Sequence, residues 1–407
     1  MSPLLILFLS ALSFVLLFFF FFKKKNVGGL AKLSMMVYAG MAVGCFLFSL
    51  GGAYDIEDLK EWPFLVYFVV FVVLVYPLSK VTNFARRIEI RNVKIANMVA
   101  SGYLICCILQ LFISGSKAID AINSGNYFSI YLHREDYVFY NNIFEQININ
   151  IVNYFFIPVI VYCFYIFAHK INYKFKWSLM IVPFIAKSAI AISYASRTDF
   201  FYIVLIYGSL FFLYKNDIPQ KLSKVIIKVG AIFSGVAVLG MFVISQSRFA
   251  SSDDNSWLAL YFGESNITAH DTFAYTTRYS NGTYFFRNIA GAQGIKTIST
   301  LCKKDHGTGF RPVISCRFSD FGPEGFVFYV IACLLIMSYF AKKKIITWGG
   351  FYILLFYYKS ITLGAFYENT DEVAWIYVII VSCILTFLSK FNVKKASSIS
   401  ELSRTRI

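Results

Sequence analysis

Arginine is the side chain that stands out between residues 246 and 325. Arg248, Arg278, Arg287, Arg311 and Arg317 fall in one long polar interval of an otherwise apolar chain. A guanidinium fork donates two parallel hydrogen bonds to phosphate oxygens and stays charged at any working pH. Arg278 and Arg287 lie in Thr277-Arg278-Tyr279-Ser280-Asn281-Gly282 and Phe286-Arg287-Asn288, with aromatic residues beside both. Arg197 stands in Ser196-Arg197-Thr198-Asp199, a short turn between two apolar runs, where two helices hold a charge more firmly than a free loop does. Lys187 lies inside an apolar run, where a charge costs at least ~2.5–3.5 kcal/mol near the bilayer centre and calls for a wet cavity or an anionic ligand. Lys359 is nearer the end of its run and can snorkel to the interface. The chemistry these residues suit is the binding of a phosphate-bearing ligand. The plainer alternative is that they meet lipid headgroups, or an acid such as Asp199.

Candidate general bases are fewer. Asp55, Glu57, Asp58, Glu264 and Asp271 read mainly as solvated loop carboxylates. Asp320 stands above the others. Asp320 opens Asp-Phe-Gly-Pro-Glu-Gly at the mouth of the next apolar run, where Pro323 suits the first turn of a helix and a simple capping turn is the plainer reading. The four histidines, His133, His169, His270 and His306, have no metal-ligand spacing. Phosphate-cradling glycine loops and paired metal-binding aspartates are absent from the sequence, which argues against a nucleotide-sugar donor or a metal site.

The elements that must position these groups are membrane helices. Apolar residues make up 58% of the chain and aromatics 19%, a composition unlike that of a water-soluble domain. Runs of roughly 17–25 apolar residues, each able to cross ~30 Å of hydrocarbon, recur along the whole length. The expected fold is all-α and polytopic, a single multi-span domain over residues 1–407. Eleven spans are expected near 3–22, 33–50, 63–79, 95–114, 151–168, 177–194, 200–214, 229–245, 323–341, 346–366 and 373–389.

Charge sets the expected orientation. With the N-terminus outside, the inner segments hold 24 Lys/Arg and 3 Asp/Glu, and the outer ones 12 and 19, so the positive-inside bias favours this arrangement. Lys23-Lys24-Lys25 follow the first apolar run, the reverse of a signal peptide. Two sizeable loops, 115–150 and 246–322, then lie outside, and the tail 390–407 is cytoplasmic. The net charge of +16 comes in short clusters between spans, not as a continuous patch on a soluble domain, so nucleic acid is excluded as a partner. Cys302 and Cys316 are the only cysteines in an outer loop; an oxidising compartment would pair them as a disulfide, and a reducing one would leave them thiols.

Many spans, one dominant arginine-rich outer loop, and an Asp-Phe-Gly turn leading into a late helix resemble bacterial oligosaccharide repeat-unit (O-antigen) polymerases. So does the stretch from Ser193 to Phe201, with Arg197 at its centre. The resemblance implies a membrane glycosyltransferase (GT-C-like) architecture in the bacterial inner membrane, active on the periplasmic face. It implies an inverting glycosyl transfer without metal, nucleotide or other cofactor. A growing glycan on undecaprenyl diphosphate would be the donor, and a sugar hydroxyl on a new lipid-linked unit the acceptor. Arg197, Arg278, Arg287, Arg311 and Lys187 would face the lipid diphosphate, with Asp320 or His306 assisting the hydroxyl. Membrane lipids, a chain-length regulator and a flippase are the further partners implied.

Three rivals carry different expectations. An O-antigen ligase has similar architecture and pairs an outer arginine with a histidine, for which His306 and Arg311 are the nearest match. A lipid-linked oligosaccharide flippase, or another transporter, calls for polar residues throughout its spans and short loops. A transferase using polyprenyl-phosphate sugars would draw its base from Asp55, Glu57 and Asp58.

Overall fold

In a bilayer every backbone N–H and C=O must find its partner within the chain, and uninterrupted apolar runs do so as helices. The computed structural model of the protein describes residues 1–24, 27–82, 88–125, 127–132, 142–249, 263–302, 311–366 and 372–390. In chain order the helices are α1 (Pro3–Lys23), α2 (Gly29–Leu50), α3 (Glu61–Ser79), α4 (Val93–Ser124), α5 (Tyr127–Leu132), α6 (Ile143–Ala168), α7 (Lys176–Ser193), α8 (Arg197–Tyr214) and α9 (Gln220–Phe249). They continue with α10 (Ser265–Tyr275), α11 (Arg287–Ala292), α12 (Val313–Lys342), α13 (Trp348–Leu363) and α14 (Glu372–Lys390). Strands are vestigial. β1 (Ile88–Glu89) pairs in parallel with β4 (Ile346–Thr347), and β2 (Thr276–Arg278) pairs antiparallel with β3 (Leu301–Cys302).

Ten of these helices are long and apolar enough to cross a membrane, so the chain is a polytopic, all-α membrane protein. Of the eleven expected spans, 346–366 is the exception. It forms α13, whose 16 residues cover only ~24 Å at 1.5 Å per residue. Almost every residue of α13 is buried, so its length is fitted to protein and not to the bilayer. It is the axial helix of the bundle. Trp348 Nε1 donates to the Pro158 carbonyl on α6 at 2.9 Å, and the Tyr357 hydroxyl to the Leu74 carbonyl on α3 at 2.7 Å. Thr362 shares a hydrogen bond with Ser34 on α2 (2.7 Å), and Tyr358 one with Ser209 on α8 (2.7 Å). Against α14 the approach is close enough that a Cβ on Gly349 would strike the Ser382 carbonyl.

Other boundaries also move. α4 runs on to Ser124, ten residues beyond the expected 114, and α6 begins at Ile143, so the expected 115–150 loop is largely helix. α12 begins at Val313, ten residues before the expected 323. Asp320-Phe321-Gly322-Pro323 is therefore a break within a helix, where Gly322 takes φ 73° and ψ 173°. Pro323 then sits in the first turn of the second half, which is what the sequence asks of it.

Successive spans alternate in direction, so residues 51–60, 194–196, 263–302, 311–312 and 364–366 gather at one end, here termed the loop end. Contacts across these segments hold it together. The Val313 N–H donates to the Gly364 carbonyl at 2.8 Å, and the Tyr275 hydroxyl to the Asp58 carbonyl at 2.9 Å. α10 descends between α2, α3 and α12 and buries nine of its eleven residues, Ile267 among them against Ile6, Leu7, Cys45 and Phe64.

Candidate functional site

The first turns of α8 meet a group of cationic side chains near the loop end. A tight turn brings the chain from α7 into α8: Ala195 takes φ 49°, and the Ser196 N–H donates to the Ala191 carbonyl at 2.8 Å. Arg197 then opens α8, is 6% exposed, and donates from Nη1 to Ser245 Oγ on α9 at 3.2 Å. Asp199 follows in the same turn, with its side chain one-third exposed.

Lys187 on α7 is 3% exposed. Its ammonium donates to Asn153 Oδ1 on α6 at 2.7 Å and lies 3.9 Å from Asp199 Oδ1, a long ion pair. It also stands 5.6 Å from the centre of the Tyr202 ring. Lys359, from α13, reaches the same ring at 4.8 Å and that of Phe356 at 5.1 Å. Two ammonium groups on separate helices thus share one aromatic ring, and a ring's negative face offsets only part of the desolvation of each. Asp199 is in contact with the cluster through Lys187. Lys187, Lys359 and Arg197 bring basic groups from three helices toward the end of the bundle, a setting that suits an anionic ligand.

Aromatic pairs surround it. Tyr154 stacks on Tyr377 at 4.5 Å, Phe201 meets Phe366 at 5.2 Å, and Phe356 meets Trp375 at 4.9 Å. Tyr202 and Asn153 are the members of the cluster that sequence reasoning missed. Tyr202 lies three positions after Asp199 on one helix face, a spacing that could have drawn attention to it. Asn153, the last of four amides in a 26-residue helix after Gln146, Asn148 and Asn150, offered only the general signal that polar groups inside spans have partners.

The arginines of the long interval divide between two other settings. Arg278 is exposed on β2, donating from Nε to the Ser299 carbonyl (2.9 Å) and from Nη2 to Ser299 Oγ (2.7 Å). Arg287, exposed at the start of α11, lies 5.3 Å from the Tyr284 ring centre. Its neighbour Asn288 donates from the backbone (2.7 Å) and from Nδ2 (2.8 Å) to Glu372 Oε1 at the start of α14. Arg317 is 1% exposed, with its guanidinium 4.1 Å over the Phe285 ring. Arg311 is half-buried just ahead of α12.

Asp320 is 2% exposed and accepts a hydrogen bond from Ser280 Oγ. The Gly282 N–H donates to the Asp320 carbonyl at 2.9 Å, so the turn at 280–282 is fastened to the end of the first half of α12. His306 lies outside the described residues. The expected disulfide between Cys302 and Cys316 is not formed: both are thiols, Cys302 Sγ donating to the Asp271 carbonyl (3.4 Å) and Cys316 Sγ to the Arg311 carbonyl (3.6 Å). One sulfur is committed to α10 and the other to the turn that starts α12.

His270 is a saturated structural residue. Nε2 accepts from the Lys60 N–H at 2.9 Å, which leaves the proton on Nδ1 to donate to Asp271 Oδ1 at 2.8 Å. The tautomer is assigned from that backbone donor. In the 51–60 loop nearby, half-buried Tyr54 has its hydroxyl pKa pushed up by burial, with Cys45 and Glu264 adding to the rise. It remains a neutral phenol.

No protein-family model, no curated protein and no solved structure matches the chain. Function therefore rests on the site. Among the described residues, no three His, Cys, Asp or Glu side chains gather as metal ligands would.

Proposed function

We propose that the protein is a membrane glycosyltransferase that joins oligosaccharide repeat units carried on a polyprenyl diphosphate, the reaction of a surface-polysaccharide (O-antigen) polymerase. The observation that carries this reading is the convergence of Lys187 and Lys359 on Tyr202, in the helix that Arg197 opens, near the loop end of an apolar bundle. A lipid-attached diphosphate brings its charge to that depth while its tail stays in hydrocarbon.

In the transfer, a sugar hydroxyl of one unit attacks the anomeric carbon of the glycan on the other. A glycosidic C–O bond forms, the bond to diphosphate breaks, and the lipid diphosphate leaves with the bonding pair. Negative charge grows on its oxygens, and fixed cations in a low-dielectric setting stabilise it as it grows. Lys187 and Lys359 are placed to act as point charges there, with Arg197 as the fork. The hydroxyl proton goes to Asp199, the partly exposed carboxylate of the same cluster. Arg278 and Arg287, on the exposed cap, are suited to the sugars or the second diphosphate. Asp320, buried under that cap, acts as its tether.

The test is a strain lacking the gene, complemented with wild type, Lys187→Met or Lys359→Met, its surface glycolipid resolved on a silver-stained gel. Wild type is expected to restore a ladder of chain lengths, and the variants, at equal protein level, single repeat units. A full ladder from both variants would overturn the reading. A deletion strain with no repeat unit on its acceptor lipid would point to a ligase instead.

A further inference from the structure

A cleft of about 910 Å³ opens at the end of the bundle opposite Lys187 and Lys359. It lies between the end of α1, the start of α2, the residues after α3 and the end of α8. Its volume is in the upper part of the ~300–1,000 Å³ range of small-molecule sites. Phe18, Phe22, Leu33, Met36 and Phe212 form apolar walls, and Phe22, Met36 and Phe212 are each at least half exposed, open toward the bundle's outer surface.

Glycine makes the floor. Gly28 packs so closely on the carbonyls of Leu78 and Val81 that a side chain there would force α2 away from α3. A Cβ on Gly29, by contrast, would meet nothing within 4 Å, because it would project into open space.

The mouth is cationic. Lys32, in the first turn of α2, donates from Nζ to the Phe22 (3.2 Å) and Lys24 (2.9 Å) carbonyls at the end of α1. Both acceptors are neutral, so the ammonium keeps its whole charge, and its third N–H has no role in those two bonds. Lys215 stands at the end of α8, its Nζ 5.4 Å from the Phe212 ring centre. Asp217 is the single acid among the described residues of the lining. The start of α2 adds the positive end of a 22-residue helix without a side-chain cap.

We infer that this cleft binds one anionic phospholipid of the adjoining leaflet. Its phosphate lies between Lys32 and Lys215, and its acyl chains run along Phe18, Phe22, Leu33 and Met36. Charge complementarity selects the occupant. A zwitterionic lipid brings no net charge to two lysines and one aspartate, and free phosphate leaves the apolar walls unused. The bound lipid would bridge α1–α2 to α8 at the end where β1 and β4 also tie distant segments together. The inference is independent of the transfer reaction, since its residues lie at the other end of the bundle.

The test uses the full-length protein, delipidated in mild detergent, with dioleoylphosphatidylglycerol or dioleoylphosphatidylcholine added and bound lipid counted by native mass spectrometry. One phosphatidylglycerol is expected to persist, at least fivefold above phosphatidylcholine. The Lys32→Gln/Lys215→Gln variant is expected to lower that occupancy at least fivefold. Gly29→Leu, which projects a side chain into the floor of the cleft beside Lys32 and keeps both lysines, is expected to do the same while melting like wild type without lipid. Undiminished phosphatidylglycerol in Gly29→Leu would overturn the inference. So would equal retention of phosphatidylcholine, or displacement of the lipid by millimolar inorganic phosphate.

Discussion

Ser280 donates its hydroxyl hydrogen bond to the carboxylate of Asp320, forty residues further along the chain. The pair fastens the exposed cap that carries Arg278 and Arg287 to α12, two residues before that helix breaks. Ser280 is fully buried and Asp320 2% exposed, so water replaces neither partner if the other is removed. Ser280→Ala is expected to cost about 1–3 kcal/mol, because a buried acceptor loses its donor. Asp320→Asn keeps an acceptor oxygen and should cost less. Melting temperature in detergent checks both, and a Ser280→Ala protein that melts like wild type would show that the bond does not hold the cap.

The break itself makes the second prediction. Gly322 at φ 73° and ψ 173° occupies a region essentially reserved for glycine, and a substitution there costs on the order of 1–3 kcal/mol. The added Cβ of Gly322→Ala would sit 3.5 Å from the Tyr279 ring, an ordinary contact, so the penalty is conformational. The variant is expected to melt several degrees below wild type and to expose the cap to limited proteolysis. Unchanged melting and cleavage would mean that α12 runs straight at little cost.

The cysteines give a simple third prediction. With Cys302 and Cys316 committed to different carbonyls, the intact mass of the purified protein should be the same before and after reduction. A gain of two hydrogens on reduction would restore the disulfide.

Hydropathy made ten spans legible, because a bilayer demands long apolar helices and little else resembles them in sequence. What it hid is what packing decides. Val313 to Phe321 reads as polar loop, since Arg317 and Asp320 interrupt it, yet both are buried under aromatic rings and the cap, so the segment is helical and inside. α13 reads as a span like any other, and only its enclosure by six helices explains why 16 residues suffice. Lys187 was legible as a candidate because a charge in an apolar run calls for an explanation. That Lys359 would meet it at Tyr202 was not, because α7, α8 and α13 come together only through the fold.

That meeting leads to the last prediction, a separation of stability from activity at Lys187. Removing one member of a buried ion pair leaves the other uncompensated, whereas removing both can be neutral. Asp199, one-third exposed, can rehydrate, but Lys187 at 3% exposure cannot. Asp199→Ala is therefore expected to destabilise the protein, by about 1–2 kcal/mol given the 3.9 Å separation and the Asn153 bond that remains. Lys187→Met should melt close to wild type, and Lys187→Met/Asp199→Ala should recover what Asp199→Ala lost, so the two changes are non-additive. Activity should not follow stability. Each single variant and the double variant should lose at least tenfold in polymer formed per molecule, about 1.4 kcal/mol of transition-state stabilisation. Melting curves and glycan ladders on the same three proteins separate the two roles. A double variant that regained its ladder along with its stability would make Lys187 and Asp199 a structural pair and remove them from the site.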